Sequence, residues 1–459
     1  MKSCLKFLLA LASASLACAA GAQTPPLPAP VASAPAGPAA TQPQPPPVVS
    51  ASARRLYERS KGQLLQIRTL LKTQDSQASV GSGFIVSDDG HVVTNYHVVS
   101  QFALRPERYR LAFTMAQGRT GSAQLLAIDV THDLALLRLR VPDGAPPIEF
   151  VPLRFRDAAM PLSKGERLYS LGNPLDVGFA VVEGVYNGSV ERSFLPQVFF
   201  GGSLNPGMSG GPAVDDAGRV IGVNVAARRD GEQVSFLVPG ALASELLQRG
   251  RDAKPQTQPM YAEVTRQLKA HQAALVDAFV AQPWRSANHP RYRVPVPQET
   301  FMRCWGSASP ETQKYMRFER SDCVMNHSVY ASAQLRAGVI NVRHESYDGE
   351  RLGTLRFAQE YSESFANEHF GSGFAATAPR CKEGFTDRDG LTLRTVACIS
   401  ALKRFEGLFN LSVLTTTVDH PTQGVQGRLD AVAVDFNNAM RLTEHYLQGF
   451  GWNPKADPR

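Results

Sequence analysis

Three residues in the first half of the chain are of the types that build an acyl-transfer site: His97 in TNYHVV, Asp133 in THDLALL and Ser209 in NPGMSGGP. A serine hydroxyl is a weak nucleophile until a base takes its proton. Histidine titrates near neutral pH, and a carboxylate can fix the imidazole tautomer and steady the imidazolium. The stretch SLNPGMSGGPAV, Ser203 to Val214, offers a second ingredient. A tetrahedral intermediate calls for inward-pointing N–H donors, which a tight glycine-containing loop can supply; the amides of Gly207 and Ser209 are the candidates. Taken alone the stretch reads as a turn, since glycine, proline, asparagine and serine are what turns use. His97 and Asp133, each placed where a strand-like run meets a loop, tip the reading toward a site.

The elements that must position these residues are short and β-like. His97 ends the strand-like HVVTNYHVV, and Asp133 precedes the apolar run LALLRL. From about Ser52 to Gly250, runs such as LLQIRTLL, GSGFIVS, AQLLAID, ERLYSLG, RVIGVNVA and VSFLVP are separated by turn signals, among them Asp88-Asp89-Gly90 and Asp216-Ala217-Gly218. Many short strands at close spacing predict one all-β barrel or a pair of them. ALASELLQR then reads as a terminal helix. Beyond Lys254 the pattern is mixed: MYAEVTRQLKAHQAALVDAFV has helical spacing, QLRAGVINVRHESY and TLRFAQEY look like strands, and LDAVAVDFNNAMRLTEHYLQ looks helical. His91 falls in a hairpin and is expected to be solvated; His132 is expected at the surface.

The chain of 459 residues is too long for one ordinary core, and 43% hydrophobic with 19% charged residues exclude wholesale disorder. A net charge of +7 is spread without a dense run, and the 3 tryptophans do not lie among the cations, so no nucleic-acid partner is expected. Residues 1–22 read as a secretory signal peptide cleaved after Ala22, with lipidation at Cys18 ranked second because the leucine expected three positions upstream is missing. Residues 23–51 form a proline- and alanine-rich linker. No later stretch is apolar enough to span a membrane. Of 6 cysteines, Cys304, Cys323, Cys381 and Cys398 survive such cleavage. An even count in an oxidising compartment suggests disulfides; short loops favour Cys304–Cys323 with Cys381–Cys398 among the possible pairings. No pair has zinc-ligand spacing, and no metal or cofactor is expected.

The order His, Asp, Ser, together with TNYHVV, HDLALL and NPGMSGGP, resembles the chymotrypsin-fold (trypsin-like) serine proteases, most closely the bacterial HtrA or Deg branch. GSGFIVSDDGHVVTNYHVV is similar to that branch's first-barrel hairpin, LGNP at Leu171 to Pro174 to its inter-barrel segment, and IGVN with SFLVP to its closing strands. The resemblance spans residues 52–250. It implies a mainly β fold, a double β-barrel; the mixed pattern that follows predicts a separate α+β domain over 251–459 that carries the cysteine pairs. It also implies His97 as general base, Asp133 as its partner and Ser209 as nucleophile. Ser203, six before the nucleophile, would floor the primary pocket, and Ser235, Phe236 and Leu237 would form its edge, favouring small or medium apolar side chains. Met208 stands where the branch usually has asparagine, and no PDZ-like segment follows the protease region. The implied activity is that of a secreted or periplasmic endopeptidase on protein or peptide substrates, with unfolded envelope proteins as candidates and a trimer possible. The alternative is a binding or scaffold protein whose protease site is impaired.

Overall fold

Why the strand-like runs lack strict alternation is plain in the computed structural model, which describes residues 50–227, 233–366, 368 and 374–454. Most barrel strands are buried on both faces. In β1 (Leu64–Leu71), Leu65 and Ile67 enter the first barrel's core while Leu64 joins the layer between the barrels. Strands β1, β2 (Gln77–Ile85), β3 (His91–Thr94), β4 (Tyr109–Met115), β5 (Thr120–Asp129) and β6 (Leu134–Arg140) close in the order β1-β2-β3-β6-β5-β4. Strands β7 (Arg167–Gly172), β8 (Ala180–Ser189), β9 (Val198–Gly201), β10 (Pro212–Val214), β11 (Val220–Ala227) and β12 (Ser235–Pro239) close as β10-β11-β12-β9-β8-β7. Phe84, Val93 and Leu136 of the first barrel pack against Tyr169, Leu171 and Val223 of the second. This apolar seam fixes the two barrels against each other.

Helix α1 (Ala51–Ser60) precedes the barrels, α2 (Tyr96–Leu104) follows β3, and α3 (Gly240–Gly250) follows β12. The strand expected through HVVTNYHVV therefore stops at Thr94, and His97 sits in the first turn of α2 rather than at a strand end. LGNP, read as an inter-barrel segment, begins inside β7 and runs into the following turn.

After Lys254 comes α4 (Tyr261–Val280) and a seven-stranded antiparallel sheet. Its order is Met302–Ala308, Arg317–Met325, Val339–Asp348, Gln423–Val434, Phe409–Thr417, Leu391–Ala401, Arg380–Arg388. Helices α4 and Phe436–Gln448 cover one face through Leu275, Leu429 and Leu442. The helix Thr354–Ala366 covers the other face, where Tyr347, opposite in parity to Ile340 and Val342, meets Phe357 and Tyr361. TLRFAQEY is thus helical, not a strand: Phe357, Tyr361 and Phe365 recur four apart and are buried. LDAVAV belongs to a strand, and the helix expected through it starts only at Phe436, capped by the Asp435 side chain on the Asn438 amide. Disulfides join Cys304 to Cys323 and Cys381 to Cys398, each pair directly opposite in register.

The described residues form one compact unit. Val264 and Leu268 of α4, Val329, Leu335, Phe405 and Leu408 share a core with the first barrel. Hydrogen bonds reinforce the packing: the Tyr96 hydroxyl donates to the Ala331 carbonyl at 3.1 Å, and the Met260 amide to the Ala103 carbonyl at 2.9 Å. His91, expected in solvent, is fully buried, bonded through Nδ1 to Ser87 and Asp89 and through Nε2 to the Arg251 carbonyl. Among the described residues no helix is long and apolar enough to cross a membrane. The signal expectation, with Cys18, and the linker expectation up to residue 49 lie outside the described residues; the linker expected to run to 51 gives way at its end to α1, whose N-cap is Ser50.

Candidate active site

Asp133 occupies the turn between β5 and β6 with φ 56, a left-handed conformation that aims its carboxylate back at α2. Two bonds result. Oδ1 accepts the His97 backbone N–H at 2.8 Å, capping the second residue of the helix, and Oδ2 lies 2.6 Å from His97 Nδ1. The turn is pinned as well: the Asp133 carbonyl accepts from Asn95 Nδ2 at 2.8 Å and from the Tyr96 amide at 3.1 Å. One carboxylate therefore anchors the helix end and orients the ring, leaving Nε2 to face the cleft.

The Ser209 loop is clipped from both barrels. Ser82 of β2 donates its amide to the Ser209 carbonyl at 2.7 Å and its hydroxyl to the Gly207 carbonyl at 2.7 Å. Asn224 of β11, the asparagine of IGVN, donates its side-chain amide to the carbonyls of Leu171 and Met208, and its own carbonyl accepts the Gly210 amide. Gly207 has φ +93, and a Cβ there would stand 2.4 Å from the Asn173 carbonyl oxygen. Only glycine fits. With the loop so held, the amides of Gly207 and Ser209 have no protein partner among the described residues. Met208 points the other way, fully buried in the second barrel's core beside Leu168, Phe200 and Leu237. It fills volume and takes no part in the loop's polar surface.

The Ser209 hydroxyl rests on the Val225 carbonyl at 3.3 Å. Among the described residues it makes no hydrogen bond to His97.

The cleft has a volume of about 930 Å³, lined by His97 and Asp133, by Phe199, Val225 and Phe236 of the second barrel, and by residues of the downstream region. Of the four residues expected at the pocket, Phe236 lines this cleft. Ser203 is exposed, the Ser235 hydroxyl is occupied by the Leu204 amide at 3.1 Å, and Leu237 lies in the barrel core. His132 is half-buried and bonded through Nδ1 to Asp129, away from the Asp133 carboxylate.

Sequence reasoning missed the far side. Tyr330 lies edge-on to His97, ring centroids 5.8 Å apart at 61°, and Arg336 sits over Tyr330 at 4.5 Å. On the Asp133 side, Gln267 of α4 accepts the Val130 amide at 2.7 Å and donates to the Ile128 carbonyl at 3.0 Å. These residues carry no local signal, since a tyrosine and an arginine on a short hairpin look like any exposed pair. Among the described residues there is no cluster of His, Cys, Asp and Glu that could hold a metal ion.

Two closed six-stranded barrels, with His97 and Asp133 lining the cleft and the Ser209 hydroxyl on the carbonyl of Val225, which also lines it, have the chymotrypsin-type architecture. Residues 81–223 match the family model described as trypsin-like peptidase domain. The chain is 27% identical over 225 residues to Protease Do-like 1, chloroplastic, of Arabidopsis thaliana, covering 44% of this chain and 48% of that relative. It is 32% identical over 176 residues to the probable periplasmic serine endoprotease DegP-like of Brucella suis, covering 36% of this chain and 32% of that relative. A solved structure, the serine endoprotease from Yersinia pestis, is similar over 44% of this chain and 67% of that one, at 24% identity and a TM-score of 0.37. The barrel region is thus similar to the trypsin-like peptidase domain, and to HtrA/DegP-like serine proteases in particular. The chain spans about half the length of these curated relatives, or less.

Proposed function

We propose that the chain is an exported serine endopeptidase that hydrolyses peptide bonds through an acyl-enzyme at Ser209. The observation that carries the reading is the His97–Asp133 pair, held at 2.6 Å beside a loop whose Gly207 and Ser209 amides are unpartnered. His97 Nε2 takes the Ser209 proton as Oγ bonds to the scissile carbonyl carbon, and the two amides receive the oxyanion. Collapse breaks the C–N bond, with the proton passing from His97 to the leaving amine. Water, deprotonated by His97, then releases the acyl group and restores the serine. Asp133 keeps Nδ1 protonated throughout.

The periplasmic setting in the name of the Brucella relative supports export, and unfolded envelope proteins are the proposed substrates. A second reading has one observation in its favour. The Ser209 hydroxyl on the Val225 carbonyl suits a protease-fold binding protein, or an enzyme that engages its serine only with substrate present. A fluorophosphonate probe separates these, because labelling needs an activated serine and a formed oxyanion site. Labelling of the wild type and not of Ser209→Ala supports the peptidase; absence of labelling in both, with and without a peptide substrate, supports the binding protein.

A further inference from the structure

The barrels do not enclose the cleft alone. Arg303, from the edge strand Met302–Ala308, and the segment 325–330 form its opposite wall, with Arg336 from the hairpin strand that follows. Lys164 enters from the second barrel's side.

The charge of this wall is uneven. Arg303, Arg336 and Lys164 make no ion pair among the described residues, and Glu191 is the one acidic lining residue besides Asp133, which is committed to His97. Arg303 is half-buried, and its Nε is shielded from water without a hydrogen-bond partner. That Nε–H has lost hydration without gaining an acceptor, which a bound carboxylate reaching it would correct. Arg336 keeps one face on the Tyr330 ring, at 4.5 Å, while Tyr330 lies against His97. A cation is thereby held one ring away from the base.

We propose that the downstream region completes the substrate cleft as a cationic wall, so that the site takes peptide segments bearing aspartate or glutamate beside the bond to be cut. This rests on the peptidase reading for its consequence in cleavage, but the binding preference stands without it. The apolar surfaces of Phe199 and Phe236 seat the chain opposite, while Arg303 and Arg336 supply the forked donors that match a carboxylate. Tyr330 sets the spacing between Arg336 and His97.

The test uses full-length Ser209→Ala protein, so that binding is read without turnover. A fluorescent peptide with Asp and Glu on both sides of a central apolar pair is compared by anisotropy with its Asn and Gln analogue. The expected result is roughly tenfold tighter binding of the acidic peptide, weakening as salt is raised, while the neutral analogue is indifferent to salt. In the Arg303→Gln/Arg336→Gln background the acidic peptide should bind as the neutral one does, and Arg336→Lys should restore part of the difference. Thermal melting checks that the variants are folded. Equal binding of both peptides, or an acidic preference untouched by the double substitution, overturns the proposal.

A second arm reads cleavage by the wild type in a proteome-derived peptide library. Enrichment of Asp and Glu near the cut, lost in the double variant, supports the wall. Cleavage with no such enrichment overturns the acidic preference and leaves the peptidase standing. Acidic-peptide binding without cleavage or probe labelling supports the wall and overturns the peptidase.

Discussion

Tyr330 and His97 are 233 residues apart in sequence and in ring contact in the fold, at 5.8 Å and 61°. The tyrosine's neighbours extend the contact: its hydroxyl lies 3.5 Å from Ser100 on α2, and its ring lies 6.3 Å from that of Tyr96. The downstream region therefore braces the helix that carries His97, and through Gln267 it also braces the turn that carries Asp133.

Removing the ring should loosen the base. Tyr330→Ala is expected to lower kcat by roughly ten- to a hundredfold, the size of effect that follows small misplacement of a catalytic group. Tyr330→Phe should keep most activity, since the ring and not the hydroxyl faces His97. Steady-state kinetics on one peptide substrate checks this; equal losses in both variants would assign the effect to the hydroxyl instead.

Ending the chain at Gly250 should not release a working protease domain. The first barrel's core continues into Val264, Leu268, Val329, Leu335, Phe405 and Leu408, so the truncation bares that surface. Exposed apolar patches of this kind drive association. The expected product binds a hydrophobic dye, runs as aggregates on size exclusion and does not label with fluorophosphonate. A soluble, monomeric and reactive fragment would contradict the shared core.

Gly207→Ala tests the oxyanion loop. The added Cβ would meet the Asn173 carbonyl at 2.4 Å at a positive φ, so the loop must shift. Loss of one donor of this type costs roughly a hundred- to a thousandfold in kcat. KM should change little, and the melting temperature should fall only modestly.

Met208→Ala tests a different property of the neighbouring residue. Met208 is fully buried among Leu168, Phe200 and Leu237, and its loss should destabilise the fold by about 2–4 kcal/mol through lost packing and the cavity left behind. Urea unfolding measures this. An unchanged midpoint would mean that the second barrel repacks without cost.

Acid should weaken the fold in a defined window. Burial pushes His271 of α4 down to about 4, with charges on His327 and His132 adding to the effect. Unfolded, the same imidazole takes up a proton near its ordinary value of 6.5. The unfolded state thus holds more protons between these values, so stability falls as pH drops through that window, by on the order of 3 kcal/mol at its lower end. Burial pushes the fully buried His344 down as well, adding in the same direction. Denaturant midpoints from pH 7 to 4 check the sign, and His271→Gln should flatten the slope.

The triad candidates were legible because each is imposed by local backbone chemistry. Ser209 sits in a loop whose glycines the φ values require, and Asn224 of IGVN holds that loop from the next strand. The pocket was less legible, since counting six residues back from Ser209 reaches an exposed serine, Ser203, and misses Phe199 and Val225 on neighbouring strands. His91 looked solvated from its hairpin, but the Arg251 carbonyl that buries it follows 160 residues later. The helix Thr354–Ala366 was hidden because an eight-residue window held only two of its three buried aromatics. Arg303, Tyr330 and Arg336 had no local mark; only the packing of the downstream region onto α2 brings them to the cleft.

The most direct measurement is cleavage of an unfolded casein-like substrate by the full-length protein beside its Ser209→Ala variant, with fragment termini read by mass spectrometry. Fragments from the wild type and none from the variant are the expected result. Equal fragmentation by both, or none by either together with no fluorophosphonate labelling, would contradict a peptidase that works through Ser209.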